Sequence, residues 1–271
     1  KKPVSPDLDG LWEQTRLAPE DPSVDLTSYQ VIPGVHGYEF DLAEARQQFQ
    51  NLAYGESTLI SLHYTDPEIA DEDAYFQDVL GHCETPHGDN ENRNGNLRKA
   101  CGMLDGLVLQ PGQELSYNEA LGPRTKELGW LPAPAYSGTK LVDSPGGGIC
   151  QVSSTLYLAS VYSELTIVER HNHGYPVSYI PLGMDATVSW GFADLKIRND
   201  SPMPVKIQAE ESDGYVRVSI LGTETRDYNV EMSYTVGGRY VRTYMSKIDK
   251  ESGEVISKEP YALSGYMDDI Y

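Results

Sequence analysis

The chain has no apolar run approaching the roughly 18 residues that a membrane-spanning helix needs, and no stretch reads as a signal peptide. A spanning helix is therefore excluded from these 271 residues. Basic residues are scarce, with 21 Lys and Arg against 41 Asp and Glu, a formal net charge of −20. Such a surface repels phosphate, which argues against nucleic acid as a partner and discourages close approach to anionic polymers. Cysteine is limited to three residues. No His-Glu-x-x-His or paired-cysteine spacing occurs, so no familiar zinc motif is present and no cofactor is implied. The hydrophobic share of 39% suits a folded chain, and the length suits two small domains. Because the sequence starts abruptly at Lys1-Lys2-Pro3, an export signal or membrane anchor is expected ahead of it, and membrane contact is expected only through that segment.

What is present centres on Cys150. It follows Gly146-Gly147-Gly148-Ile149 and precedes Gln151, just where an apolar helical pattern begins. Ile149, Val152, Leu156 and Ala159 recur at steps of three and four, which lays one stripe on an α-helix. The glycines allow positive φ or a close backbone approach before it. A thiol at a helix N-terminus meets unpaired amides and the positive end of the macrodipole, both of which favour the thiolate. The bland alternative is a tight loop followed by a core helix whose cysteine is a small buried hydrophobe.

Downstream, Tyr175, Val177 and Tyr179, and then Ala186, Val188 and Trp190, alternate with smaller or polar residues, with Pro181-Leu182-Gly183 between them. The pattern predicts two strands and a turn. His173 at the entrance of the first and Asp185 at the entrance of the second are candidates to converge on the cysteine. The order cysteine, histidine, aspartate is that of transglutaminase-like and NlpC-type cysteine enzymes, an analogy of order alone. In that reading Cys150 attacks a carbonyl, His173 carries the proton and Asp185 fixes its tautomer. Backbone amides near Cys150 and the Gln151 side chain would serve the oxyanion, while Gly146, Gly147, Gly148, Asn118 and His171 are candidate substrate contacts. His171 is the alternative histidine, two residues away on the same face. The His-x-His spacing also suggests a zinc site completed by Asp185 or Cys150.

The segments "LQPGQELSYNEALGPRTKELGW", "GGGICQVSSTLYLAS", "RHNHGYPVSYIPLGMDATVSW" and "DLKIRNDSPMPVKIQA" resemble the VanW family, from about Phe76 to Gly222. The positions matching the family pattern include Arg93, Asn118, Gly146, Gly147, Gly148, Cys150, Gln151, His173 and Asp185, while Ser154 stands where the family usually has threonine. The resemblance implies a bacterial protein of the cell envelope, extracellular or at the cell surface, with a context in vancomycin resistance. It leaves the reaction open. The run from "YQVIPGVHGYEFDLAEA" to "LISLHYTDPEI" resembles the peptidoglycan-binding type of domain that often precedes VanW domains, though no aromatic platform or charged cleft in it shows ligand binding.

In that first region, Asp41 and Glu44 read as a capping box, Leu42, Ala45, Phe49 and Leu52 as a helical stripe and Gly55 as its end. Strands are expected at Ser28 to Ile32 and Ser57 to His63. Beyond Gly222, Val230 to Val236 and Tyr240 to Tyr244 flank Gly237-Gly238 as a hairpin, a second turn falls at Glu251-Ser252-Gly253, and Tyr261, Tyr266 and Tyr271 follow. Nothing places chemistry there. Cys83 and Cys101 flank the polar stretch Gly88 to Gly95, so a disulfide between them is expected in an oxidising exterior. Against it, Leu97, Cys101 and Leu104 share a helical face. His82, His87 and Asp89 read as a solvated loop. Arg93, opening a helix, and Arg124, in a loop after Gly122-Pro123, could each clamp a carboxylate.

The expected architecture is α+β: a small α/β domain over 1–72, a VanW domain over 73–223 with the cysteine helix on an antiparallel sheet, and a β-hairpin extension over 224–271. Three functional readings stand at this point. One is an accessory protein that binds or acts on peptidoglycan or its stem peptides. Another is a cysteine-dependent amide hydrolase or acyl transferase on the same polymer. The third is a zinc-dependent hydrolase.

Overall fold

The computed structural model describes residues 6–137 and 140–270, so Lys1 to Pro3 and Tyr271 lie outside the described residues. Two compact units divide the chain between Tyr75 and Phe76. The first holds α1 (Leu8–Thr15), β1 (Ser23–Asp25), β2 (Gln30–Ile32), β3 (Gly37–Glu39), α2 (Leu42–Gln50) and β4 (His63–Thr65). Asp41 caps α2 by accepting from the amides of Ala43 and Glu44, as its sequence predicts. The expected strands are shorter. Tyr29 at φ 57° breaks the first before Gln30, and of the second only His63 to Thr65 finds a partner, β3. Residues 57–62 lie outside any ladder.

The second unit opens with β5 (Asp78–Pro86) and α3 (Glu91–Leu104), then β6 (Val108–Leu109), β7 (Glu114–Ser116) and α4 (Tyr117–Leu121). The hairpin β8 (Pro132–Ser137) and β9 (Lys140–Pro145) leads into α5 (Ile149–Tyr162), followed by β10 (Thr166–Glu169) and β11 (Lys196–Arg198). Next come β12 (Val205–Ser212), β13 (Tyr215–Gly222), β14 (Tyr228–Gly237), β15 (Tyr240–Asp249) and β16 (Val255–Gly265). The fold is α+β. Its central antiparallel sheet runs β5-β13-β12-β6, and α3 and α5 pack on it.

Alternation makes that sheet two-faced: Val205, Ile207 and Ala209 of β12 and Val216, Val218 and Ile220 of β13 all turn inward. Against them lies α5, with Val152, Leu156, Ala159 and Val161 fully buried. Each large apolar side chain so enclosed contributes about 1.5–3 kcal/mol. The helix comes so near β5 that a Cβ on Gly81 would sit 2.4 Å from the Ala159 carbonyl oxygen, which explains a glycine inside a strand. The cysteine helix is thus held on both sides, and its N-terminus is fixed in space.

Several sequence expectations need correction. His82 belongs to β5 rather than to a loop, bonding Ser219 across the ladder at 2.9 Å, and His87 meets Glu211 at 3.1 Å. The disulfide is not formed: Cys83 and Cys101 are free, buried thiols. Each faces the apolar core, Cys101 beside Leu97 and Leu104, and burial pushes both thiols up to about 12. They are packing residues. The two strands expected at 175–179 and 186–190 are irregular, with isolated bridges such as His171 to Thr187 in place of a ladder. The reason is where their backbone groups go. The Ala186 carbonyl accepts from the hydroxyls of Ser153 and Ser154, and the Val188 amide and carbonyl both meet the Cys150 sulfur. Side chains of α5 supply the partners that a neighbouring strand would otherwise provide.

After Gly222 the chain forms the antiparallel meander β14-β15-β16, with the hairpin turn at Gly237-Gly238 as expected. These strands belong to the same compact unit as the central sheet.

Candidate active site

Cys150 is the second residue of α5, and the approach to it is built from glycine. Gly146 at φ 79° and Gly148 at φ 103° occupy left-handed backbone that side chains rarely adopt. Gly147 is constrained by space: a Cβ there would lie 2.0 Å from the Ala133 carbonyl oxygen. The loop is pressed against β8, which delivers Cys150 half-buried to the wall of a cleft of about 580 Å³. His173, Tyr179, Thr187 and Trp190 line the same cleft, as do Arg93, Arg124, Gln151 and all three glycines.

The thiol is provided for in both protonation states. As S–H it reaches the Val188 carbonyl at 3.5 Å, and as thiolate it accepts from the Val188 amide at 3.5 Å, with the Thr187 hydroxyl 3.7 Å away. The buried His173 ring is anchored from behind. Its Nδ1 lies 2.6 Å from Asp185 Oδ2, and the same oxygen accepts the His173 backbone amide at 2.6 Å. With Nδ1 held by a carboxylate, Nε2 is the ring atom left for the sulfur.

Asp185 is buried and fully engaged. Its Oδ1 accepts the Tyr266 hydroxyl at 2.9 Å, and Arg170 lies 3.4 Å from that oxygen. Arg170 in turn donates to the carbonyls of Asp185 and Gly183 and to Ser264. The carboxylate therefore has a cation and several donors inside the protein, which keeps it ionised.

The electrostatic consequences run in one direction. Burial alone would raise the Cys150 thiol, but hydrogen bonding to His173, the charge of that imidazole, the Val188 amide and the Thr187 hydroxyl outweigh it and hold the thiol below 9.0. Burial alone would lower His173, yet Asp185 and Cys150 raise it from 6.5 to about 9. Asp185, which burial would raise, is held below 3.8 by His173 and Arg170. The arrangement favours a thiolate and an imidazolium side by side.

Some predicted site residues have other tasks. Gln151 is not an oxyanion donor: its Nε2 is spent on the Thr85 hydroxyl at 2.9 Å and the Pro86 carbonyl at 2.9 Å, and its Oε1 accepts from Arg93 at 2.7 Å. Asn118 is buried behind the cleft, tied to Ser189 and Ala193, with its Oδ1 accepting from Arg124 at 2.6 Å. Both amides position arginines. His171 turns outward to Glu169 at 3.0 Å, so the two histidines do not share a face toward the cysteine. The zinc reading loses its second imidazole. No cluster of three His, Cys, Asp or Glu suited to a metal occurs among the described residues.

Sequence reading missed Tyr179, Thr187, Arg170 and Tyr266. The first two lie in the segment that was read as strands. Tyr266 stands 81 positions from Asp185, and no local pattern signals that contact. Replacing Tyr266 with phenylalanine takes a donor from Asp185 and an acceptor from the Gly183 amide. The variant is expected to lose about 1–2 kcal/mol of stability in urea unfolding.

The model of the family described as VanW like protein matches residues 92–221, a span that carries the cysteine, the histidine and the aspartate. The chain carries a VanW domain. It is 30% identical over 204 residues to Uncharacterized protein YoaR of Bacillus subtilis, covering 72% of this chain and 66% of that protein. Over 160 residues it is 31% identical to Vancomycin B-type resistance protein VanW of Enterococcus faecalis, covering 56% of this chain and 57% of the relative. The chain thus spans somewhat under two thirds of each of these relatives. No solved structure matches it. The match lies within the second compact unit, and the VanW domain draws on strands beyond it, since Ser264 and Tyr266 hold Arg170 and Asp185.

Proposed function

We propose that the VanW domain is a cysteine-dependent acyl-transfer enzyme of the cell envelope, cleaving or exchanging amide bonds in the stem peptides of peptidoglycan. One observation carries this reading: His173, anchored by Asp185 at 2.6 Å, lines the same cleft as Cys150, and its imidazole lowers the thiol that opens there. A merely structural polar network has no need of such an opening. The peptidoglycan substrate is drawn from the vancomycin-resistance name of the Enterococcus relative.

The steps follow from the geometry. The Cys150 thiolate attacks the carbonyl carbon and pushes charge onto its oxygen. The Cys150 backbone amide has no acceptor among the described residues, and it is a donor suited to that oxyanion. Collapse of the adduct expels the amine, which takes its proton from His173 Nε2, and a thioester remains. Water or a second amine then attacks the thioester, His173 receives the proton, and the thiolate departs. Asp185 stays ionised throughout, orienting the ring and stabilising its cation.

The test is incubation of the protein with solubilised peptidoglycan fragments, followed by mass spectrometry of products and of the protein. A cleaved or newly joined stem peptide, together with an acyl adduct on Cys150, is the expected result. Cys150→Ala should abolish both. Products that persist in that variant, or fragments left intact by a protein whose Cys150 is reactive, would remove the acyl-transfer reading.

A further inference from the structure

The cleft beside Cys150 has an electrostatic character opposite to that of the protein. In a chain with 41 acidic residues and 21 Lys and Arg, the residues lining this cleft include no Asp or Glu. They include two arginines, Arg93 and Arg124, one on each flank of the glycine loop. A Cβ on Gly148 would lie 2.7 Å from Arg93 Cγ, and one on Gly146 would lie 2.8 Å from Arg124 Cγ. Both side chains therefore cross the loop that delivers the thiol.

Neither guanidinium has an ion-pair partner among the described residues, although other arginines, such as Arg170, Arg217 and Arg226, do. Each is held by neutral oxygens instead. Arg93 donates to Gln151 Oε1, while Arg124 donates to Asn118 Oδ1 and to the Gly122 carbonyl at 3.0 Å. The Arg124 Nε is buried with no hydrogen-bond partner among the described residues. Trp190 flanks the Arg124 guanidinium at 5.8 Å and Tyr117 at 5.9 Å. The Cys150 thiolate acts on both arginines from across the cleft, and the carboxylate of Asp194 acts more weakly on Arg124, bonded as it is to Ser116 and to the amides of Asn118 and Leu195. Partly buried cations without a counter-ion are costly, and burial weakens the hold of each on its proton. Neutral amides that fix the forks and supply no carboxylate of the protein's own are what an anion site requires.

We propose that Arg93 and Arg124 form a subsite for a carboxylate of the substrate, so that the preferred substrate is a peptide with a free carboxylate close to the scissile carbonyl. This rests on the acyl-transfer reading for the identity of the bond, but the subsite can be tested without turnover. The net charge of −20 sets the context: the protein surface repels anionic polymer, and the cleft is the place where one anionic group is accepted.

Binding is measured by titration calorimetry on the full chain carrying Cys150→Ser. The probes are N-acetyl-L-alanyl-D-isoglutamyl-L-lysine with both carboxylates free and the same peptide with both as primary amides. The free acid is expected to bind at least about tenfold more tightly, as for charge-assisted pairs. The ratio should fall toward one in Arg93→Gln/Arg124→Gln. It should also fall in Arg93→Lys/Arg124→Lys, which keeps the charge but loses the fork. Equal affinities in the parent chain, or no binding of either peptide, would overturn the subsite independently of how the variants fold. A preference that survives in both double variants would overturn its assignment to these arginines. Alkylation of Cys150 in the unsubstituted protein is read alongside. An unreactive thiol with an intact carboxylate preference sinks the acyl-transfer mechanism alone, and a reactive thiol with no preference sinks the subsite alone.

Discussion

His173→Ala is expected to slow iodoacetamide alkylation of Cys150 at pH 7 by about threefold or more, because each unit of upward thiol shift costs about tenfold in thiolate, partly offset by the greater nucleophilicity of a more basic sulfur. The imidazole supplies the main lowering influence on the thiol through its hydrogen bond and its charge, and without it burial is left to raise the pKa. In the unsubstituted protein the midpoint of the rate profile should lie below 9.0, and in the variant it should move upward. Coincident profiles for the two proteins would show that His173 does not act on the sulfur. Asp185→Asn should shift the profile in the same direction, since the imidazolium loses its buried anion.

Stability responds to pH in a way that exposes the same pair. His173, raised from 6.5 to about 9, by itself contributes stability that is fully present below 6.5 and is lost as pH rises through about 9. The depressed Cys150 thiol acts oppositely, its contribution being present above 9.0 and lost as pH falls through its folded value. Between the two, the folded pair holds one proton on the imidazole and the unfolded chain holds one on sulfur, so the pair leaves stability level. Cys150→Ala removes the compensating half together with the part of the His173 shift that the sulfur supplies, leaving the part due to Asp185. Urea unfolding of that variant should show stability falling as pH rises above 6.5, while the unsubstituted protein changes little over the same interval.

Gly147→Ala is expected to cost about 3 kcal/mol or more, roughly 6–12 °C in Tm for a unit of this size. The added Cβ meets the Ala133 oxygen at 2.0 Å and its carbonyl carbon at 2.5 Å. Backbone cannot swing aside as a flexible side chain can, so the hairpin β8-β9 or the start of α5 must move. Either movement shifts Cys150 relative to His173, and the depressed thiol pKa should be lost along with the stability. Gly102→Ala is the matched control. It lies in α3 with open space around its Cβ position, and the gain in helix propensity should stabilise the protein by about 0.5–1 kcal/mol. A Gly147→Ala protein as stable as the parent would show that the loop does not press on β8 as described.

Much of the candidate site was legible before any coordinates. Glycines followed by an apolar 3.6-residue period place Cys150 at the start of a helix, and that inference depends only on local backbone preferences and side-chain spacing. Asp41 as a cap and Gly237-Gly238 as a hairpin turn are local in the same sense. The expectations that failed involved partners far along the chain. Alternation at 175–179 and 186–190 suggested strands, but in the second segment hydroxyls and sulfur on α5 captured the backbone groups. Two cysteines around a polar stretch suggested a bridge, but β5 and α3 turn both into the core.

The sequence by itself determined which residues could do chemistry: a thiol at a helix start, a histidine and an aspartate in order behind it, and two arginines suited to a carboxylate. Tertiary structure decided which of them meet. It placed His173 rather than His171 at the sulfur, withdrew Gln151 and Asn118 into the support of arginines, and brought Tyr266 from the C-terminal strands to Asp185. The physical reason is range. Propensity, capping and glycine conformations are set within a few residues, whereas burial, ion pairing and pKa are set by whatever the folded chain brings within a few ångströms, however distant in sequence.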